Sequence, residues 1–262
     1  PTRPDWSKGF DVWTPGEAGA AARLAAFVDG PLRTYAQDRD RPDREGVSRL
    51  SPHLHFGELS PRQAWHAASG RRGAEKFLKE LLWREFCYHL LYHQPHMPEA
   101  PLQAQFRHFP WRGDDAGMQA WQRGETGYPI IDAGMRQLWQ TGWMHNRVRM
   151  IVASFLVKDL RLDWRSGERY FMEQLVDGDL AANNGNWQWC ASTGTDAMQG
   201  YRIFNPTLQS AKFDPDGGYV RQYVPELSQV PTKWIHEPSL MPKEEQVRAR
   251  CRIGIDYPKP IV

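Results

Sequence analysis

Apolar residues recur along this chain at the three- and four-residue spacing of a helix face. Nowhere do they alternate with period two for long enough to make a sheet. The first stripe begins near Ala20, with Ala21, Leu24, Phe27 and Val28 at helix spacing. Ahead of it, residues 1–20 mix proline, glycine and charge and read as a linker, or as the cut end of a longer protein. Ser51-Pro52 and Ser60-Pro61 each set a capping residue before a proline, which marks a helix start. A helix over 74–92 follows, with Leu78, Leu81, Leu82, Phe86 and Leu90 as its stripe. The polar run 39–51 is broken by proline and glycine and reads as a loop. Residues 94–113 hold Pro95, Pro98, Pro101 and Pro110 and form a long irregular connection. Further helices are predicted near 115–122, 129–141, 143–160 and 166–176, and 203–237 reads as loop-rich. The expectation is an all-α domain over 21–262.

Composition narrows this picture. A chain of 262 residues is long for one domain but within range for a single helical core. The hydrophobic share of 40% and charged share of 24% are those of an ordinary soluble protein. No stretch approaches the roughly 20 apolar residues of a membrane span, and the start has no apolar signal-peptide core. Cys87, Cys190 and Cys251 are scattered, which argues against a disulfide framework or structural zinc and for a reducing compartment such as the cytoplasm. A net charge of +2 is too mild to point to nucleic acid by itself, yet leaves room for a local basic groove. Twelve tryptophans exceed what a core needs. An aromatic core accounts for any one of them; the group asks for stacking or electron transfer.

Four segments carry candidate chemistry. Glu80, Trp83 and Arg84 share one helix face, opposite the leucine stripe, and belong either to a surface ion pair covered by a ring or to a binding cavity. Asn146 and Met150 lie one turn apart, while Arg147 and Arg149 point elsewhere, and spacing alone favours a buried helix whose Arg149 pairs with a carboxylate. Asp179, Asn183 and Trp187 are spaced by four, one stripe if the helix survives Gly185. Such a stripe suits a planar ligand with hydrogen-bonding edges, an isoalloxazine for example, and equally an N-capping aspartate with a solvated face. The turn GVSRLS (46–51) ends at a helix start and could offer backbone N–H groups to a phosphate. No Rossmann, P-loop or metal-binding motif is present.

Taken together, YAQDRDRPDREGVSRLSPHLHFGELSPRQ (35–63), ELLWREF (80–86), TGYPIIDAGMRQLWQTGWMHNRVRMIVASFLVKDL (126–160) and DGDLAANNGNWQWCASTGTDAMQGYRIFNP (177–206) resemble the photolyase/cryptochrome flavoproteins. Within that family they are similar to the class I cyclobutane pyrimidine dimer photolyases. The resemblance implies a helical domain holding a U-shaped FAD, active in its reduced anionic form. Tyr35, Val47, Ser48, Arg49, Leu50 and Ser51 match the surroundings of the FAD phosphates and ribityl chain, with Val47 where the family commonly has threonine. Asp177, Gly178 and Asp179 match the strip beside the flavin, Arg149 is the implied partner of Asp177, and Asn183 matches the residue facing flavin N5. Glu80, Trp83, Asn146, Met150 and Trp189 match the pocket for a dimer flipped out of the duplex, with Glu80 a hydrogen-bond donor to it if protonated. Arg39, Arg84, Arg147, Arg202 and Gln209 are the implied contacts to DNA phosphates. Trp187, Trp164 and Trp111 match a photoreduction relay.

The implied reaction is light-driven: an electron passes from reduced FAD to the dimer, the cyclobutane ring opens and the electron returns. UV-damaged DNA is the implied partner of a monomeric, nucleoid-associated enzyme that needs no membrane and no metal. An antenna chromophore, folate or deazaflavin, is implied only for a full-length protein with an N-terminal α/β domain. The competing readings are a cryptochrome-type blue-light receptor, a (6-4) photolyase, and a flavin-free helical DNA-binding module. Retention of the five pocket residues argues against the first. The second typically has a histidine pair where this chain has His145 followed by Asn146.

Overall fold

The structure is a computed structural model that describes residues 7–195 and 203–262. Thirteen α-helices run through the described residues in this order: α1 (Glu17–Asp29), α2 (Tyr35–Asp38), α3 (Ser51–His55), α4 (Pro61–Ala68), α5 (Ala74–His93), α6 (Asp115–Arg123), α7 (Pro129–Thr141), α8 (Asn146–Ser154), α9 (Trp164–Gln174), α10 (Leu180–Ala191), α11 (Pro206–Phe213), α12 (Gly218–Tyr223) and α13 (Lys243–Arg248). The only strand-like pairing among the described residues is an isolated bridge, Ile253 with Tyr257. The all-α expectation holds.

Local chemistry explains most boundaries. Ser60 and Gln63 form a reciprocal capping box at α4, with Pro61 in the first turn. Asp114, Asp163, Asp179 and Asn205 each cap the helix that follows by accepting a backbone N–H. Helix α7 ends where Gly142 takes a left-handed φ of 65°. Ser51 does not cap α3 as expected; it sits inside the first turn, and its hydroxyl accepts from Trp143 Nε1 at 3.3 Å. The helix predicted over 143–160 starts instead at Asn146. The His145 side chain accepts the Arg147 N–H there at 3.2 Å, and the last turn, Phe155–Asp159, widens into a π-helix. That turn aims Lys158 Nζ at the C-terminal end of α10, 2.8 Å from Ser192 Oγ and 3.3 Å from the Ala191 carbonyl.

Three sequence expectations need correction. The buried stripe of α5 is Ala74, Phe77, Leu81 and Cys87, whereas Leu82 is 53% exposed and Phe86 is exposed as well. The 74–92 segment is apolar on more than one face, so counting leucines picked the wrong one. Ala21 is exposed, and α1 buries Ala20, Phe27 and Val28. The 203–237 segment contains α11 and α12; its Asn205-Pro206 pair is the same start signal as Ser60-Pro61. Residues Ser7–Val12 form a 3-10 turn on α7, and Trp13 Nε1 donates to the Thr141 carbonyl at 2.9 Å.

Among the described residues two hydrophobic cores result. One gathers α1, α4 and the first half of α5 around Phe27, Leu32, Tyr35 and Phe77. The other surrounds α7, which is buried over nearly its whole length, and draws in α6, α8, α9, α10 and α12. Helix α10 packs on α5, α8 and α9, and α5 on α2 and α4, so α5 touches both cores.

Candidate cofactor and substrate cavity

A cavity of about 640 Å³ opens between α5, α8, α10 and the loop ahead of α3. Its apolar wall includes Leu54, Phe77, Leu81 and Trp143. Its polar edges come from Ser48, Asn146, Arg149, Asp177, Asp179 and Asn186. A smaller cavity of about 90 Å³ shares the Asn146, Arg149, Met150, Asp177, Asp179 and Asn186 wall and ends on Asn183 and Trp187.

Every residue matched to the flavin lines one of these spaces except Gly178. Arg149 Nη2 donates to both oxygens of Asp177, at 2.8 and 3.0 Å, and its Nε donates to the Met144 carbonyl at 2.8 Å. Asp179 has two duties. One oxygen accepts the Ala182 N–H at 2.8 Å and caps α10, and the other accepts from the Tyr88 hydroxyl. The capping and ligand readings of that aspartate are therefore compatible. Burial, then this hydrogen bond, pushes the Tyr88 phenol up to about 12. Asn183 lines only the smaller cavity and donates to the Glu168 carbonyl at 2.9 Å, while Asn186, one turn on, faces both.

The loop 47–51 enters the cavity through a constrained backbone. Arg49 is a non-glycine residue at φ 53°, a conformation that costs about 1 kcal/mol. Its guanidinium lies 5.2 Å from the centroid of the Trp143 ring and pairs with Glu45 at 2.9 Å. Arg49 Nε is buried without a hydrogen-bond partner, as are Arg39 Nε and Arg147 Nε on the same wall. Unpaired buried donors are costly, and three of them beside an apolar, hydrogen-bonding slot fit a flat heteroaromatic group carrying phosphates. The residues present thus fit FAD.

The five residues matched to the lesion pocket, Glu80, Trp83, Asn146, Met150 and Trp189, all line the larger cavity. Trp83 is 47% exposed at its rim. Asn146 and Met150 face each other across one turn, Nδ2 to Sδ at 4.0 Å. Glu80 is not paired with Arg84 and is not placed as a donor: it accepts from Arg39, with Lys76 at 3.7 Å. Nor do the polar residues of α5 face away from its apolar stripe, because Leu81 and Cys87 share the cavity with Glu80, Trp83 and Arg84.

The arginines expected on DNA phosphates are engaged within the protein. Arg84 pairs with Glu85 at 3.0 Å and with Tyr88, and Arg147 with Asp40 at 2.8 Å. Gln209 is half-buried on α11, away from the cavity, and Arg202 lies outside the described residues. Trp187, Trp164 and Trp111 belong to one core assembly, Trp111 at its edge against Phe109. The sequence reading missed Trp121, fully buried 6.2 Å from Trp187 in an edge-on pair. It also missed Gly167, where a Cβ would come within 2.3 Å of the Trp187 ring. No cluster of three or more metal-ligating side chains occurs among the described residues. No helix among them is long and apolar enough to cross a membrane.

Comparison with known proteins agrees with this geometry. Residues 77–262 match the family described as the FAD binding domain of DNA photolyase. A deoxyribodipyrimidine photo-lyase of Agrobacterium fabrum is 54% identical over 269 residues, covering 100% of this chain and 56% of that protein. Cryptochrome-1 of Arabidopsis thaliana is 41% identical over 264 residues, covering 96% of this chain and 39% of that protein. The crystal structure of a bacterial class III photolyase from Agrobacterium tumefaciens superposes with a TM-score of 0.97 at 54% identity, over 100% of this chain and 56% of that one. The chain spans about half the length of the curated photolyases it matches. With the cavity, its flavin-compatible walls and these likenesses in agreement, the chain belongs to the FAD-binding domain family of the DNA photolyases.

Proposed function

We propose that this chain is the FAD-binding and repair portion of a deoxyribodipyrimidine photo-lyase, which splits cyclobutane pyrimidine dimers in DNA under blue light. The observation that carries the reading is that Glu80, Trp83, Asn146, Met150 and Trp189 line the same cavity as Tyr35, Ser48, Arg149, Asp177 and Asp179. A lesion and a flavin seated there would share one water-poor space. Bound FAD would supply the light-excited electron. Trp83 and Trp189 would stack on the fused pyrimidines, and Asn146 and Glu80 would meet their polar edges. Arg149 and Asp177 would orient the cofactor through a pair that is already fixed.

The domain is proposed to act from 21 to 262, as a monomer on UV-damaged DNA, in the cytoplasm at the nucleoid. An antenna chromophore belongs to the longer protein. On class, the motif strings alone suggested class I, but the 54% identity to a class III structure over the full chain favours class III. The cryptochrome reading is supported by 41% identity to a plant cryptochrome. It is disfavoured by the complete pocket and by Asn183, a neutral amide with no readily transferable proton. The test is light-dependent loss of thymine dimers from a defined duplex, with a (6-4) duplex and a dark sample alongside.

A further inference from the structure

Among the described residues, Asp40 is the one carboxylate on the cavity wall that lies between two arginines matched to DNA phosphates. Its Oδ2 is 2.8 Å from Arg147 Nη2, and its Oδ1 is 3.8 Å from Arg39 Nε. Arg39 in turn donates to Glu80, which also has Lys76 at 3.7 Å. Within this cluster three positive side chains meet two carboxylates. Neither arginine is a free surface cation. Their side chains are only 12% and 18% exposed, and Arg147 is further held over the Phe213 ring at 4.5 Å. Asp40 Oδ1 and both arginine Nε atoms are buried with no hydrogen-bond partner, so the cluster is charge-paired without being fully hydrogen-bonded.

We propose that Asp40 is a specificity-determining residue: it holds Arg147 inside the cavity mouth by direct pairing, attracts Arg39 at longer range while Glu80 binds it, and thereby weakens the hold of these arginines on undamaged DNA. Binding to undamaged duplex rests on phosphate contacts, and an internal carboxylate competes for the same guanidinium groups as a phosphate. A flipped-out lesion meets Glu80 and the apolar walls as well, and that extra contact offsets the exchange of partners. An undamaged backbone brings phosphates alone. Asp40 therefore penalises the wrong partner more than the right one, the usual route to discrimination when the attractive contacts are shared. The inference rests on the repair reading for its damaged substrate but not for its undamaged arm.

The experiment is binding of FAD-loaded protein to one undamaged duplex, and to the same duplex with a single thymine dimer, across a salt series. Asp40→Asn is expected to tighten undamaged binding about three- to tenfold at low salt, and to steepen the slope of log affinity against log salt by about 0.9, one phosphate's worth. The dimer duplex is expected to change less, so the discrimination ratio falls. Arg147→Met in the Asp40→Asn background is expected to cancel the gain, and Asp40→Glu to restore parent behaviour. Thermal melts and FAD content accompany each variant, and Asp40→Ser replaces Asp40→Asn if that variant does not fold. Undamaged binding that stays the same or weakens with a native melt overturns the proposal and leaves Asp40 as a mere organiser of the arginines. A parent protein that fails to prefer the dimer duplex overturns the repair reading instead, while the undamaged arm still decides the role of Asp40.

Discussion

Arg149 grips both carboxylate oxygens of Asp177 with a single nitrogen, Nη2, at 2.8 and 3.0 Å, and so ties α8 to the residue pair that precedes α10. The Asp177 side chain is 3% exposed. Among the described residues, Arg149 is the side chain paired with it.

That arrangement predicts the effect of Arg149→Met. Removing one partner of a buried pair leaves the other charge uncompensated, at a cost of about 3 kcal/mol. The variant is expected to unfold at lower denaturant by that amount and to release FAD on dilution. Denaturant titration, with flavin fluorescence on the same samples, checks both. A variant as stable as the parent would mean that Asp177 has another partner.

His145 sets a pH dependence on the acid side. Burial, its first cause, pushes the imidazole down from 6.5 to about 3, so it stays neutral in the fold while the unfolded chain takes up a proton. Its contribution is present above pH 6.5 and is lost as pH falls from there towards 3, by about 1.4 kcal/mol per pH unit. Asp159 works the other way. Burial raises its carboxyl to about 6, so its share of stability is present below its unfolded value near 3.8 and is lost as pH rises through 6. His145→Gln is expected to flatten the acid limb of a stability–pH curve measured from pH 7 to 4. An unchanged slope would show that the ring is protonated in the fold.

The relay of Trp187, Trp164 and Trp111 makes a kinetic prediction. Trp111 is half-buried at the core edge, with its ring tilted against Phe109 at 4.4 Å between centroids. Trp111→Phe is expected to slow photoreduction of oxidised FAD several-fold while repair by chemically pre-reduced protein continues at the parent rate. Equal losses in both assays would remove Trp111 from the relay.

How much of this was legible depended on how local the signal was. Ser60-Pro61 announced α4, and Asp179 announced α10, because capping needs only neighbours in sequence. The exposed side of α5 was misread, because Leu82 and Phe86 are as apolar as the residues that are buried. The cavity residues were legible as matched strings, and the Arg149–Asp177 pair was anticipated. Asp40, Tyr88 and Trp121 were not, because their roles come from partners 31 to 107 positions away that spacing cannot register. Gly167 gave no signal either: its importance lies in the Trp187 ring that crosses over it from another helix.

One cavity is proposed to seat both FAD and a flipped-out dimer. The most direct measurement is recovery of intact thymines in a single-dimer duplex mixed with reduced, FAD-loaded protein under blue light. Recovery is expected in the light, none in the dark and none for a (6-4) lesion, with the yield collapsing in Trp83→Ala while FAD stays bound. Full FAD occupancy and tight binding of the dimer duplex, but no thymine recovered in the light, would contradict it.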